Sequence, residues 1–486
     1  MYNQEIYARV GEWMENHKEE MIRDIAKLAA IPSISGEKEG DAPFGKACQE
    51  ALEAMLEMGR SYGFHTENYE NYVGSIGSRK KDWENTIGFW NHLDVVPVGD
   101  GWDYSPFEPA RVGKYLIARG VQDNKGPAVG LLYVMRCLRD LKLPMKHELC
   151  LFVGCDEEKG MRDMEYYTAH YPTPAMSMIA DCGFPVCFGE KGILEGRIRS
   201  HKTLSDAVVE LSGGNAGNII PDEAVMVLRR EKLEEGALRR LPEALQMQEE
   251  GGLIRLTAKG LAGHSAFPEG SDNAIRKLCD AVCEAGLLTG GDRELLEGIR
   301  TAVAGNYGEE SGIAYEDELS GRLTCAGTVL RLEEGHVMLT FNIRYSITAD
   351  AEGICSTLTK FWDGKGFAWI LERDSKPNYF NRKHPAVDKL TEVFNRMTGQ
   401  QREPYVMGGG TYARKLPNAF GFGIGNMPGE DDSPYRELVA RGHGGAHGPD
   451  EALDCDRLVE ALKIYVMGLL ALNDITLCMP EANTKA

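Results

Sequence analysis

Residues 91–102 read NHLDVVPVGDGW, directly behind the apolar run Ile87-Gly88-Phe89-Trp90. The run predicts a short strand over 85–91, and His92 and Asp94 follow it two positions apart. A hydrogen-bonded turn at a strand end uses such residues. So does a metal ligand beside the carboxylate that orients it. The stretch alone supports either reading, so the rest of the chain has to separate them.

Working outward, residues 4–30 read as a helix that ends before IPSIS. Residues 44–63 read as a second helix, with Ala47, Ala51, Met55 and Met58 at helical spacing and Gly63 closing it. Strand-like runs are predicted at 68–76, 85–91, 147–154 and 177–181. A helix over 125–141, with Leu131, Leu132, Met135 and Leu138 on one face, lies between two of them. Helices alternating with short apolar strands predict an α/β architecture, a mixed sheet with helices on both faces. From about residue 190 the texture changes to alternating strands (GLIRLTAKG, HVMLTFNIRYSI) and two helical stretches, 273–287 and 350–364. After 383 the helix–strand alternation returns and ends in a helix over 454–472. The reading is a catalytic domain made of residues 1–189 and 383–486, interrupted by an inserted α+β domain over 190–382.

The 486 residues carry 54 Lys and Arg against 74 Asp and Glu, a formal charge of −20. Such a surface repels nucleic acid and anionic membranes, so neither is expected as a partner. The twelve cysteines are scattered, form no C-x-x-C pair, and read as buried free thiols in a reducing compartment. The polar N-terminus has no apolar signal core and no stretch is long enough to cross a bilayer. The expectation is a soluble cytoplasmic protein.

Further strand ends carry the same residue types as the opening stretch. Asp123 lies in RGVQDNKGP, in the turn before helix 125–141; Glu157 and Glu158 follow the strand LCLFVG; Asp181 ends the strand SMIA. In an open α/β sheet the carboxyl ends of the strands are where ligands bind. His447, in GGAHGPDE, comes where the chain has returned to the first domain. Two imidazoles and several carboxylates, with no thiolate pattern, suit two divalent ions bridged by one carboxylate. The adjacent pair Glu157-Glu158 suits divided labour, one side chain on a metal and the other a free general base. Each piece alone has a plain structural explanation, such as a cap, a solvated glutamate or a loop histidine. Their common placement on one edge is what favours the metal reading.

The segments IPSISGE (31–37), PFGKACQEAL (43–52), HLDVVPVGDGW (92–102), RGVQDNKGP (119–127), DEEKGMRDMEYY (156–167), GHSAFPEGSDNA (263–274), NIRY (342–345), GGGTYAR (408–414) and HGPDE (447–451) together resemble a known family. It is the dinuclear metallopeptidase family of aminoacylases, carboxypeptidase G and bacterial di- and tripeptidases, and within it the dipeptidase V type. The resemblance spans nearly the whole chain. It implies that His92 and Asp181 hold one metal, Glu158 and His447 the other, and that Asp123 bridges them. It implies that Asp94 orients His92 and that Glu157 is the general base and acid. Asn124 stands where many relatives carry a second Asp, a position that is not a ligand in the family. In the inserted domain, the family's lid, His264 matches a histidine that stabilises the oxyanion. Asn218 and Arg344 match substrate-binding positions, and Gly410 and Thr411 lie in the Gly-rich segment expected to place backbone groups near the substrate. His443 is given no role.

The implied activity is hydrolysis of unblocked dipeptides with two divalent metal ions, zinc first, with manganese or cobalt as alternatives. The rival activity is N-acyl-amino-acid deacylation or desuccinylation on the same site. A non-catalytic metal-binding protein is the rival of a different class, and the presence of Glu157 argues against it. The expected partner is a small peptide substrate. The size of the inserted domain favours a monomer on the same resemblance, with a homodimer as the alternative.

Overall fold

The structure, a computed structural model, describes residues 4–79, 82–425, 439–440 and 442–477. The chain forms two compact units. The first comprises Met1–Gly189, Tyr379–Tyr405 and Gly410–Ala486; the second comprises Glu190–Asn378 and Val406–Gly409. The return to the first unit comes at Tyr379, where the sequence reading set it at 383, and a short excursion at 406–409 went unread.

In the first unit, helices α1 (Gln4–Ala29) and α2 (Lys46–Ser61) precede strands β1 (His65–Tyr69), β2 (Val73–Gly77) and β3 (Thr86–His92). Helix α3 (Lys125–Asp140), strand β4 (Glu148–Gly154), helix α4 (Arg162–His170) and strands β5 (Met176–Ile179) and β6 (Val186–Glu190) follow. After the insertion come α5 (Pro385–Thr398), β7 (Ala419–Phe422) and α6 (Cys455–Leu472). The sheet runs in the order β1-β2-β4-β3-β5-β7-β6. Strands β4, β3, β5 and β7 are mutually parallel, with His92 opposite Gly154 and Trp90 opposite Ile179.

Every residue of β3 is buried, as expected of a parallel strand covered on both faces. On one face Trp90 stacks on Phe152 at 4.0 Å and packs with Met164 and Tyr167 of α4. On the other, Phe89 meets Tyr465 of α6, and α1, α3 and α6 pack together. The architecture is therefore α/β with helices on both faces. One detail differs from the sequence reading. Residues 68–76 form a hairpin, Tyr69 opposite Val73, instead of one strand. Glu70 and Asn71 turn the chain with φ of 49° and 63°. Apolar spacing carries no signal for a non-glycine left-handed turn.

The second unit is an eight-stranded sheet whose seven pairings are all antiparallel. Leu253–Lys259 shows its logic, since Ile254, Leu256 and Ala258 are buried while Arg255 and Lys259 are exposed. Helices Ala274–Ala285, Gly290–Ala302 and Ala351–Gly364 share a core with that face, built from Leu256, Leu278, Val282, Ile299, Leu339 and Trp362 among others. Asn273 and Asp350 cap the first and last of these helices by accepting backbone N–H groups.

Candidate metal centre

Because β3, β4 and β5 are parallel and in register, the residues just past their ends fall together. His92 closes β3, Glu157 and Glu158 lie beyond Gly154 of β4, and Asp181 lies beyond Ile179 of β5. Asp123 stands just ahead of α3, and the Asp123–Asn124 peptide leading into the helix is cis.

Asp123 sits at the middle of the group. Its Oδ1 lies 2.9 Å from His92 Nε2, and its Oδ2 lies 3.1 Å from His447 Nε2. His92 Nε2 is also 3.7 Å from Asp181 Oδ2, and His447 Nε2 is 2.9 Å from Glu158 Oε1. Two triads result, His92–Asp123–Asp181 and Asp123–Glu158–His447, each with its candidate ligand atoms within 4.8 Å of one another. They share one carboxylate, and each presents an imidazole nitrogen and carboxylate oxygens. That donor set fits a divalent cation of zinc, manganese or cobalt type.

The groups behind the triads are as ordered as those within them. Asp94 is fully buried and lies 3.4 Å from His92 Nδ1 through Oδ1. Its two carboxylate oxygens also accept the backbone N–H groups of Glu157 and Glu158, both at 3.1 Å. The two preceding N–H groups, of Cys155 and Asp156, donate to Asp163 at 2.8 and 3.0 Å. Four consecutive amides are thus held by two buried carboxylates. A side chain on Gly154 would collide with Asp163 and with the Tyr412 hydroxyl that donates to it, so only glycine lets β4 end here. The Glu157 side chain hangs from this fixed loop, and its Oε1 is buried without a hydrogen-bond partner among the described residues.

The charge balance follows from this crowding. Burial pushes Glu157 well above the ordinary carboxyl range; His92 opposes the rise, while Asp181, Glu158 and Asp94 reinforce it. Burial and the neighbouring Asp123 raise Asp181 in the same way. Asp123 moves down, because hydrogen bonds from His447 and His92 outweigh its burial. Hydrogen bonds to Asp123 and Glu158 push His447 up to about 11. Burial pulls His92 down, but hydrogen bonds to Asp123 and Asp94 carry it well above its usual value. A crowded cluster in which carboxylates and imidazoles compete for protons in this way is one that a cation would stabilise.

The remaining residues named from the sequence have partners of their own. In the second unit His264 pairs with Ile219 in a two-stranded ribbon, and the neighbouring Asn218 accepts the Ser265 N–H through its backbone carbonyl. Arg344 is buried and donates to Asn342 Oδ1 at 2.7 Å and to the Gly408 carbonyl at 3.0 Å. Thr411 caps the short turn Tyr412–Lys415 through its hydroxyl. Gly410 leaves room for the Arg414 guanidinium.

The sequence reading passed over several residues. Asn124 donates to the Ala180 carbonyl at 2.9 Å and to Asp181 Oδ1 at 3.2 Å, so the position set aside as inconsequential holds a member of the first triad. Asp163 and Glu451 went unremarked, although both lie inside or beside the quoted motifs. His443 bonds Asp450 at 2.6 Å, and Asp450 in turn accepts the N–H groups of Asp103 and Tyr104.

The sequence profile of peptidase family M20/M25/M40 matches residues 88–470. The chain is 32% identical over 470 residues to the candidate dipeptidase YtjP of Bacillus subtilis, covering 94% of this chain and 97% of that one. Its fold is similar to that of the dipeptidase Dug1p of Saccharomyces cerevisiae, with a TM-score of 0.58 and 14% identity over 96% of this chain and 99% of that one. It is also similar to YXEP of Bacillus subtilis, a dinuclear metal-binding peptidase of the M20 family, with a TM-score of 0.51 and 9% identity over 95% and 99% of the two chains.

Proposed function

The chain belongs to peptidase family M20/M25/M40, and on that premise we propose that it hydrolyses the peptide bond of unblocked dipeptides at a two-ion centre. The observation that carries the reading is Asp123, which offers one carboxylate oxygen to each of two imidazole-bearing triads beside a buried Glu157 oxygen that has no hydrogen-bond partner among the described residues. His92 and Asp181 would hold one ion, Glu158 and His447 the other, and Asp123 both. Zinc is the first candidate and manganese or cobalt the alternatives, since mixed imidazole and carboxylate donors accept all three. When bound, such ions polarise the scissile carbonyl, lower the pKa of the attacking water and counter the carboxylate charge around Glu157.

Glu157 does the proton work. Its carboxylate takes a proton from water, and the hydroxide adds to the carbonyl carbon of the peptide bond. Glu157 then returns the proton to the departing nitrogen as the C–N bond breaks, leaving a free carboxylate and a free amine. Asp94 keeps the Glu157 amide and the His92 ring fixed during both transfers. The proposal assigns His264, Asn218 and Arg344 to the substrate, with His264 acting on the oxyanion. A cytoplasmic setting is part of the same reading, supported by the eleven described cysteines, all of them free thiols. Among the described residues no helix is long and apolar enough to cross a membrane.

The test compares one dipeptide with its N-acetyl and C-amide forms and with a pentapeptide. A buried partner left unpaired costs about 1–3 kcal/mol, and more when it is charged, so each blocked form is expected to lose at least about tenfold in kcat/KM. Equal cleavage of the N-acetyl form would transfer the activity to deacylation, and equal cleavage of the pentapeptide would remove the restriction to dipeptides.

A further inference from the structure

Glu451 closes the HGPDE segment and Arg119 opens RGVQDNKGP, yet neither has a part in the chemistry above. Both are about 1% exposed. The Glu451 carboxylate accepts four hydrogen bonds. Oε1 takes the backbone N–H groups of Gln122 at 2.8 Å and Asp123 at 3.1 Å. Oε2 takes the Gly120 N–H at 2.9 Å and Arg119 Nη1 at 2.8 Å. The other terminal nitrogen of Arg119 donates to the backbone carbonyls of Val98 at 3.2 Å and His447 at 3.3 Å. Its guanidinium lies over the Trp102 ring at 5.0 Å.

One buried ion pair therefore grips the backbone of Asp123 at one end and the backbone of His447 at the other. As a source of stability a buried ion pair is replaceable by apolar groups of the same volume. An apolar pair could not reproduce this set of directed bonds to two ligand-bearing loops. Of the other triad, Asp123 is shared with the clamped site, while His92 and Asp181 are fixed independently of it. His92 is set by the end of β3 and by Asp94, and Asp181 by Asn124.

We propose that Glu451 and Arg119 form a positioning clamp that sets the spacing of Asp123 and His447, and so selectively tightens the cation site made by Asp123, Glu158 and His447. The inference rests on the two-ion reading and adds residues that touch neither ion nor substrate. A fixed second layer behind metal ligands is worth about 10–100-fold in metal affinity.

The test is a calorimetric titration of metal-free protein with Mn2+, beside thermal melts of the same metal-free samples. Wild type should take up two ions. Glu451→Gln should bind one ion at least about tenfold more weakly and weaken the other by less. His447→Ala identifies the site. If the clamp acts mainly there, adding Glu451→Gln to His447→Ala lowers the affinity for the remaining ion by less than Glu451→Gln alone lowers that of the weaker ion, since the remaining ion feels the clamp only through Asp123. Arg119→Lys keeps a cation beside Glu451 but cannot span Glu451 and the His447 carbonyl together, so the same asymmetry is expected. That variant carries the test if metal-free Glu451→Gln does not fold. Equal weakening of both ions, or unchanged affinities with a lower melting temperature, would overturn the clamp. A wild-type protein that binds fewer than two ions would overturn the two-ion reading itself.

Discussion

The two units bury charge very differently. The first hides Asp24, His92, Asp94, Arg119, Lys125, Arg136, His147, Asp156, Asp163, Asp450, Glu451, Asp454 and Lys463, and His92, Asp94, Asp156 and Asp163 gather around the carboxyl ends of three parallel strands. In the second, the buried charged side chains among the described residues are Arg344 and Glu190, the boundary residue that ends β6, and the core is leucine, isoleucine, valine and aromatic side chains. Both units are folded around a sheet with helices, so the sheet alone does not require the charge. Burying a carboxylate costs free energy unless something compensates it. In the first unit the carboxylates meet backbone amides, imidazoles and one another. The arrangement is one that cations complete, whereas the second unit is held by apolar packing.

The largest effect expected from this contrast is chemical and confined to the first unit. Glu157→Gln keeps the volume and removes the base, so turnover should fall by about 10²–10⁴-fold with metal content unchanged. Metal analysis and kinetics on the same sample check it. Near-normal turnover would remove Glu157 from the mechanism, and loss of metal would make it a ligand.

The second unit should respond in stability instead. Leu256→Ala opens a cavity at a fully buried position in its core and should cost about 2–5 kcal/mol. The metal content of the folded fraction should not change. Denaturant unfolding with metal analysis separates the two outcomes, and a variant of wild-type stability that has lost metal would erase the contrast between the units.

What was legible in the sequence follows the same division. The convergence of His92, Asp123, Glu157, Glu158 and Asp181 could be read because each stands at the end of an apolar strand or the start of a helix, and parallel strands bring such ends together. The antiparallel second sheet could be read from alternation such as that of Leu253–Lys259. The residues that fix the site could not. Asp163, Glu451 and Arg119 are defined by the amides and carbonyls they bind, and Glu451 binds a loop more than three hundred positions away. Nothing in local pattern distinguishes such a carboxylate from a solvated one. The 70–72 turn and the 406–409 excursion escaped for a related reason, since tertiary context sets them against a weak local signal.

The smallest expected effect contrasts two helix caps. His384 caps α5 by accepting the Ala386 N–H at Nδ1, 3.2 Å away, where the second unit uses Asn273 for its helix. Burial lowers the His384 pKa below the ordinary histidine value, and a protonated Nδ1 could no longer accept. The unfolded chain therefore binds the proton first. The stability from this cap is full above about pH 6.5 and declines as pH falls from there toward the depressed folded value. The slope is worth about 1 kcal/mol or less. His384→Asn, which caps without titrating, should flatten that part of the stability–pH curve, while Asn273→Ser in the second unit should leave the slope as it is. An unchanged slope in His384→Asn would show that the cap does not titrate.

The two-ion centre underlies every role assigned to these residues. The direct measurement strips the protein with a chelator and restores Zn2+ or Mn2+ in steps, following bound metal and dipeptide hydrolysis together. The prediction is an inactive stripped protein, uptake of two ions per chain, and activity that reaches its plateau with the second. Hydrolysis that survives the chelator, or that is complete with a single ion, would contradict it.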